Sequence, residues 1–309
     1  MTKLLEICIE QFDTFKILFE SLSKFFNDVN LSFGRCNGQE DDINKGFIII
    51  NGFDDSRSIS FNLKLYDKYF TKFHCTTNDK TSVGINLRKF NAIFRTVNEI
   101  DFVTLYIDDK HTNKIKIIIK KDNVHNIYTL KIGNAEIEND NYNYNFSIGF
   151  ETYVIPCKIF HTTCKEISNH CDFVEFQCLN NQFTIKPDGK RLSESIQCVF
   201  LGVEIKQNTS KLIKSTYDVK YINAFHKLTK ISQTVKLFVR NDYSSIIEYN
   251  LSSFGSLSLF VTPVHINNDI ENNDIENNDI ENNDIENNDI ENNDIENNDI
   301  ENNDIVVSY

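Results

Sequence analysis

The sequence predicts an α+β fold built from two similar halves, and three observations carry that prediction. Much of the first 265 residues consists of short segments in which apolar and polar side chains alternate with period two, the pattern of half-buried strands. Four longer segments carry helical periodicity instead. The order helix, strands, helix, strands occurs before about residue 132 and recurs after about residue 150.

The elements follow in order. Met1 to Phe12 alternates like a strand and is not a signal peptide. A helical segment spans roughly Glu10–Asn27, with Phe12, Phe15, Phe19, Leu22 and Phe26 on one face. A strand at Ser58–Leu65 precedes a second helix at Leu87–Asn98, and strands at Lys114–Lys120 and Ile127–Ile132 close an N-terminal domain of residues 1–132. Residues 133–149 are rich in Asn, Tyr and acidic side chains and lack a sustained period, so they read as an exposed connector. The C-terminal domain, residues 150–265, opens with a helix at Lys158–His170. Strands at Val174–Gln177 and Gln182–Lys186 then flank Asn180-Asn181, and a fourth helix spans Val219–Ile231. Strands at Thr234–Arg240, Ile246–Asn250 and Leu257–Val261 follow, the first two flanking Asn241-Asp242. Turns this short join antiparallel hairpins, not parallel crossovers.

Residues 266–309 are a different kind of chain: INNDI, then seven copies of ENNDI, then Val306-Val307-Ser308-Tyr309. A five-residue period puts Ile on neither one helical face nor one sheet face, and Asn and Asp disfavour helix, so a disordered acidic tail is expected. The tail holds 15 of the 45 acidic residues and no Lys or Arg, which leaves 30 acidic against 32 basic side chains in residues 1–265. The net charge of −13 therefore belongs to the tail, and the body is near neutral.

The eight cysteines include no CxxC pair, which fits an intracellular protein with reduced thiols. Cys157, Cys164, Cys171 and Cys178 recur every seven residues; the first three share an apolar helical face with Phe160 and Ile167, so buried thiols account for them better than a metal site. Apolar runs such as Phe47–Ile50 are too short to span a bilayer. No P-loop, GxSxG, HExxH or paired-acid motif is present, so an enzyme is not expected, nor any cofactor or metal.

The helices carry the chemistry. On a wheel of about 100° per residue, Lys220, Asn223, Lys227 and Lys230 fall in one stripe opposite Tyr221, Phe225 and Leu228. Lys158, Thr162, Lys165 and Asn169 form a second stripe, and Arg88, Asn91 and Arg95 a third. In the first helix Lys16 and Lys24 share the polar face with Asp13 and Glu20. An amphipathic helix ordinarily turns lysine to water. Repetition of a basic pair at i and i+7 in three helices points further, to a track that neutralises phosphates without reading bases. No zinc-finger spacing, helix-turn-helix or RNP-type aromatic motif accompanies it.

These residues resemble the DNA sliding clamps typified by proliferating cell nuclear antigen. Thr234-Val-Lys-Leu, Ile246-Ile-Glu-Tyr-Asn-Leu and Gly255-Ser-Leu-Ser-Leu-Phe-Val-Thr-Pro263 are similar to the family's final hairpin and closing Leu-Ala-Pro. Lys220-Tyr-Ile-Asn-Ala-Phe-His-Lys227 resembles its fourth helix, and Gly84-Ile-Asn-Leu87 its Gly-Val-Asn-Leu before the second. Asp55-Ser56 and Phe70 to Cys75 are similar to its early strands.

The resemblance implies two clamp domains with antiparallel sheets outside and four helices lining the inner face of a ring, formed by a head-to-tail homotrimer. An edge strand near Asn126–Ile132 would meet one near Ser193–Phe200 of the next copy. Lys16, Lys24, Arg88, Arg95, Lys158, Lys165, Lys220, Lys227 and Lys230 would face double-stranded DNA, sequence-independently. Partner peptides would dock against Ser58, Ile59, Phe61, Phe260 and Pro263, with Tyr142, Tyr144 and Phe146 from the connector; plain sheet packing is the competing account of Ile59 and Phe61. Thr262 stands where the family usually has alanine, and Ser244 where it often has proline. The implied function is a polymerase processivity factor, placed on DNA by a separate ATP-dependent clamp loader, at an intracellular replication site in the nucleus or the cytoplasm, with no membrane partner. The alternatives are a subunit of a hetero-oligomeric damage-signalling clamp and a clamp-fold scaffold with no direct DNA role.

Overall fold

Two runs of elements with the same order make up the body. The first comprises β1 (Lys3–Ile9), α1 (Asp13–Leu22), β2 (Asp28–Arg35), β3 (Gly46–Phe53), β4 (Ile59–Tyr66), β5 (Lys72–Cys75), β6 (Thr81–Asn86), α2 (Leu87–Phe94), β7 (Phe102–Asp108), β8 (His111–Lys121), β9 (Val124–Lys131) and the short β10 (Gly133–Asn134). The second comprises β11 (Glu151–Pro156), α3 (Cys157–Ser168), β12 (Phe173–Leu179), β13 (Gln182–Pro187), β14 (Cys198–Phe200), β15 (Glu204–Ile205), β16 (Ile213–Asp218), α4 (Val219–Asn223), β17 (Thr234–Val239), β18 (Ser245–Asn250) and β19 (Gly255–Val261). This computed structural model describes residues 3–10, 12–35, 46–77, 80–97, 102–121, 124–134, 150–179, 182–188, 197–200, 204–205, 212–241 and 243–264. Tyr142, Tyr144 and Phe146, the Asn180-Asn181 turn and the whole ENNDI tail lie outside the described residues.

Every ladder among the described residues is antiparallel. Three sheets result: five strands in the order β5-β1-β7-β8-β9, four in the order β14-β13-β12-β16, and ten in the order β10-β6-β2-β3-β4-β19-β18-β17-β11-β15. The ten-stranded sheet joins the two halves through β4 and β19, paired from Gly255 opposite Leu65 to Val261 opposite Ile59. Gly255 has φ +145°, and a Cβ there would lie 1.8 Å from the Lys64 carbonyl oxygen, so only glycine lets the strands meet.

Each helix buries one stripe against the sheets. Phe15, Leu18, Phe19 and Leu22 of α1 are buried, and Phe19 meets Phe94 of α2 edge-on at 4.9 Å. Each such side chain contributes roughly 1.5–3 kcal/mol by leaving water. Asn86 starts α2 by accepting from the Lys89 backbone N–H at 3.1 Å.

Three helices are clearly shorter than their periodicity predicts; the second, expected to Asn98, stops at Phe94. The first stops at Leu22, and Phe26 reaches the core from the turn beyond it, 4.4 Å from Phe61. The fourth is helical only over Val219–Asn223; a 3₁₀ helix at His226–Lys230 follows. The apolar spacing survives because Phe225 and Leu228 remain buried, while i→i+3 bonding winds the chain more tightly. In β3 the apolar run Phe47–Ile50 hides the alternation in the sequence, yet burial still alternates, with Ile48 and Ile50 buried and Phe47 and Ile49 half-buried.

Candidate nucleic-acid and peptide interfaces

The helical segments touch in series. Helix α2 packs on α1, α1 on the His226–Lys230 turn, that turn on α3, and α3 on α4. Their solvent sides therefore belong to one layer that draws on both halves.

The nine cations expected on this layer divide into two groups. Arg88 and Arg95 on α2, Lys158 and Lys165 on α3, and Lys230 in the turn are exposed, with no ion-pair partner among the described residues. The other four are engaged. Lys16 Nζ donates to the Val97 carbonyl at 3.2 Å, and Lys24 Nζ to the Ala224 carbonyl at 3.0 Å. Lys220 Nζ lies 2.5 Å from Asp218 Oδ2 and over the Tyr221 ring, and Lys227 Nζ lies 2.6 Å from Glu20 Oε1.

Two expectations from the wheel are corrected here. Asn91 is not on the solvent stripe of α2; it is 7% exposed, and its Nδ2 donates to Ser23 Oγ of the segment after α1 at 2.7 Å. Lys220 and Lys227, expected together on one solvent stripe, each meet a carboxylate instead. The change from α to 3₁₀ winding rotates Lys227 toward α1, where Glu20 waits, and Asp218 both caps α4 and binds Lys220. Sequence reasoning placed Glu20 on the polar face of its own helix but had no means of bringing a residue 207 positions away against it.

The seam between the halves is built around Tyr221 of α4. It is buried, its ring lies 5.0 Å from that of Phe25, and its hydroxyl approaches Asp54 Oδ2 at 3.5 Å and Ser56 Oγ at 3.4 Å. Asp54 also accepts from the Ile59 backbone N–H at 2.9 Å, fixing the turn that leads into β4.

The expected peptide pocket is rearranged. Ile59 and Phe61 are 1% and 0% exposed, and both lie on the core side of the sheet: Ile59 is opposite Val261, and Phe61 is opposite Leu259. Strand parity turns their neighbour Ser60 to the other face, opposite Phe260. There Phe260, Ile246 and Phe238 sit side by side across β19, β18 and β17 and form an apolar cluster separate from the main core, with Phe150 packed on it. Ser58 and Pro263 lie just beyond the strand ends, where the Thr262 N–H donates to the Ser58 carbonyl at 2.9 Å.

Around the cluster, Arg240 stacks over Tyr243 at 4.1 Å and Phe150 at 6.0 Å, and Tyr243 is 51% exposed. Ser244 and Thr262, where the family often has proline and alanine, face each other with hydroxyls 3.4 Å apart. Ile246, Phe238, Phe150 and Tyr243 are not among the residues expected from the sequence. The parity that puts Phe238 and Ile246 beside Phe260 is readable only once the register is known, and Phe150 and Tyr243 lie outside the strands. A separate polar cleft of about 390 Å³, lined by Asn27, Asn51, Phe53, Asp54 and Arg57 among others, contains none of the expected pocket residues.

Cys157, Cys164 and Cys178 are buried and Cys171 is half-buried. Burial pushes the Cys157 and Cys178 thiols up to about 12 and raises that of Cys164 further, so none is a ready nucleophile.

Comparison with known proteins finds family matches along nearly the whole body. Residues 4–141 match the family described as proliferating cell nuclear antigen, N-terminal domain, and residues 148–264 match its C-terminal domain. The chain is 22% identical over 265 residues to "Probable DNA polymerase sliding clamp 1" of Paramecium bursaria Chlorella virus 1, covering 82% of this chain and 94% of that protein. It is 22% identical over 229 residues to "Proliferating cell nuclear antigen 2" of Drosophila melanogaster, covering 72% and 86%. It is 21% identical over 206 residues to "Probable DNA polymerase sliding clamp" of Acanthamoeba polyphaga mimivirus, covering 64% of this chain but only 43% of that protein's length.

Proposed function

Because this chain belongs to the sliding clamp family typified by proliferating cell nuclear antigen, we propose that it is a DNA polymerase processivity factor: a non-enzymatic ring subunit that encircles duplex DNA and tethers replication proteins to it. The observation that carries the reading is the continuous helical layer with Arg88, Arg95, Lys158, Lys165 and Lys230 exposed along it. Exposed cations spread along a layer neutralise backbone phosphates whatever the sequence, which suits a protein that must slide.

Ring closure is supported by the internal repeat. Strands β2, β3 and β4 of the first half correspond to β12, β13 and β14 of the second, and β7, β8 and β9 correspond to β17, β18 and β19. Within the chain β19 pairs with β4, so the equivalent pairing left over is β9 with β14, each an edge strand. One chain cannot satisfy that pairing with itself in the same way, but a head-to-tail neighbour can, and the contact is heterologous. Three copies, as in the family resemblance, close the ring. Ile127 on β9 and Val199 on β14 are 63% and 39% exposed, apolar groups that such a junction covers.

The face of the sheet that holds Phe238, Ile246 and Phe260, themselves 4%, 2% and 7% exposed, with the exposed Tyr243 beside them, is the candidate docking site for partner peptides, including that of the polymerase. Loading falls to a separate ATP-dependent loader, at an intracellular site of DNA replication. The test is primer extension by a polymerase on singly primed circular DNA, with loader and the full chain, alongside light scattering. A trimer that lengthens products, and loses this on charge reversal of Arg88, Lys165 and Lys230, supports the reading. Stimulation that survives the reversal overturns the DNA role and favours a scaffold, and a monomer at every concentration favours a hetero-oligomeric ring.

A further inference from the structure

Glu20 is the only acidic side chain among the described residues that the helical layer holds against its own track cations across the seam between the halves. Its Oε1 receives Lys227 Nζ at 2.6 Å, and its carboxyl is held below the usual range first by that hydrogen bond, with Arg95 and Lys24 adding to the field. Lys24 is in turn held below its ordinary value by desolvation of its ammonium and by repulsion from Lys227. One carboxylate from α1 therefore sits among three cations, drawn from the turn after α1, the C-terminal cap of α2 and the 3₁₀ turn.

We propose that Glu20 is a built-in counterion that competes with DNA phosphate for Lys227 and so keeps the grip on the backbone weak enough for sliding. The inference rests on the proposed DNA-encircling role and names a residue that tunes it. Lys227 and Glu20 are partly exposed, so solvent screens their ion pair and a phosphate can displace the carboxylate. Once the phosphate moves on, the carboxylate takes the ammonium back. Each contact at Lys227 is then an exchange of one anion for another, and that ammonium is not left bare to hold a single position on the duplex. The five unpaired cations supply the attraction, and Glu20 limits it at the point where α1, α2 and the turn converge.

The experiment uses the full chain and a fluorescein-labelled duplex, with anisotropy read between about 50 and 200 mM salt, for the wild type, Glu20→Gln, Lys227→Gln and the double variant; thermal melting checks folding. Freeing Lys227 adds about one phosphate contact, so Glu20→Gln binds more tightly at low salt and its affinity falls by roughly an extra 3.5-fold over this range. Lys227→Gln abolishes that gain in the double variant. Duplex binding by the wild type with an unchanged salt slope in Glu20→Gln, or a gain that persists without Lys227, overturns the counterion role and leaves the DNA reading standing. Binding that does not change with salt in any variant overturns the DNA reading itself, and this inference with it.

Discussion

Asn91 Nδ2 donates to Ser23 Oγ at 2.7 Å, so a residue that helical periodicity assigns to solvent instead ties α2 to the segment that ends α1. The pair is buried, and the α1–α2 contact it fixes carries Phe12, Phe19, Phe90 and Phe94 beside it.

Replacement of Asn91 by Ala removes that donor and opens a small gap between two helices. We expect a loss of about 1–2 kcal/mol in urea unfolding, with the salt slope of DNA binding unchanged. A change of slope with full stability would instead return Asn91 to the solvent face.

Ile127 is 63% exposed on β9, which pairs only with β8 and leaves its other edge unpaired among the described residues. Ile127→Asp is a surface change in the isolated chain and should shift monomer stability by no more than about 0.5 kcal/mol. In a ring it places a charge at the subunit junction, so light scattering should report a smaller species than the wild type at equal concentration. An unchanged mass would remove β9 from the assembly.

Phe61 and Tyr243 separate the core from the proposed docking surface. Phe61→Ala vacates a fully buried site against Phe26 and should cost about 3–5 kcal/mol. Tyr243→Ala should leave unfolding nearly unchanged and weaken binding of the polymerase's peptide, measured by calorimetry. Equal peptide affinity in the two proteins would exclude Tyr243 from the docking site.

His161 gives the fold a pH dependence. It is 3% exposed, its Nε2 is 3.0 Å from the Tyr249 hydroxyl, and burial, followed by the nearby His226, depresses its pKa to about 3. In the unfolded chain histidine titrates near 6.5, so between these values the unfolded state binds the extra proton. The contribution is fully present above about pH 6.5 and is lost as pH falls toward 3, by roughly 1.4 kcal/mol per pH unit. Urea midpoints at pH 7.5 and 5.0 should therefore differ more for the wild type than for His161→Gln, which keeps a hydrogen-bonding group for Tyr249. Equal differences would mean that His161 does not control this range.

The sequence by itself determined what depends on local pattern. Period-two alternation located β8, β12, β13, β17, β18 and β19, and three- and four-residue spacing located all four helical segments, because a buried face imposes its periodicity on residues close in the chain. It also exposed the repeat of helix, strands, helix, strands, and the closing Gly255–Pro263 segment that carried the family resemblance. Tertiary structure decided what depends on register and on winding. Ile59 and Phe61 belong to the core, and Phe238, Ile246 and Phe260 to the outer face, because the β4–β19 pairing sets strand parity, and a shift of one residue would exchange every side. Likewise the wheel that lined Lys227 up with Lys220 assumed one continuous α-helix. The tighter 3₁₀ turn sends Lys227 across the seam to Glu20, a partner set by the packing of the two halves and not by any spacing along the chain.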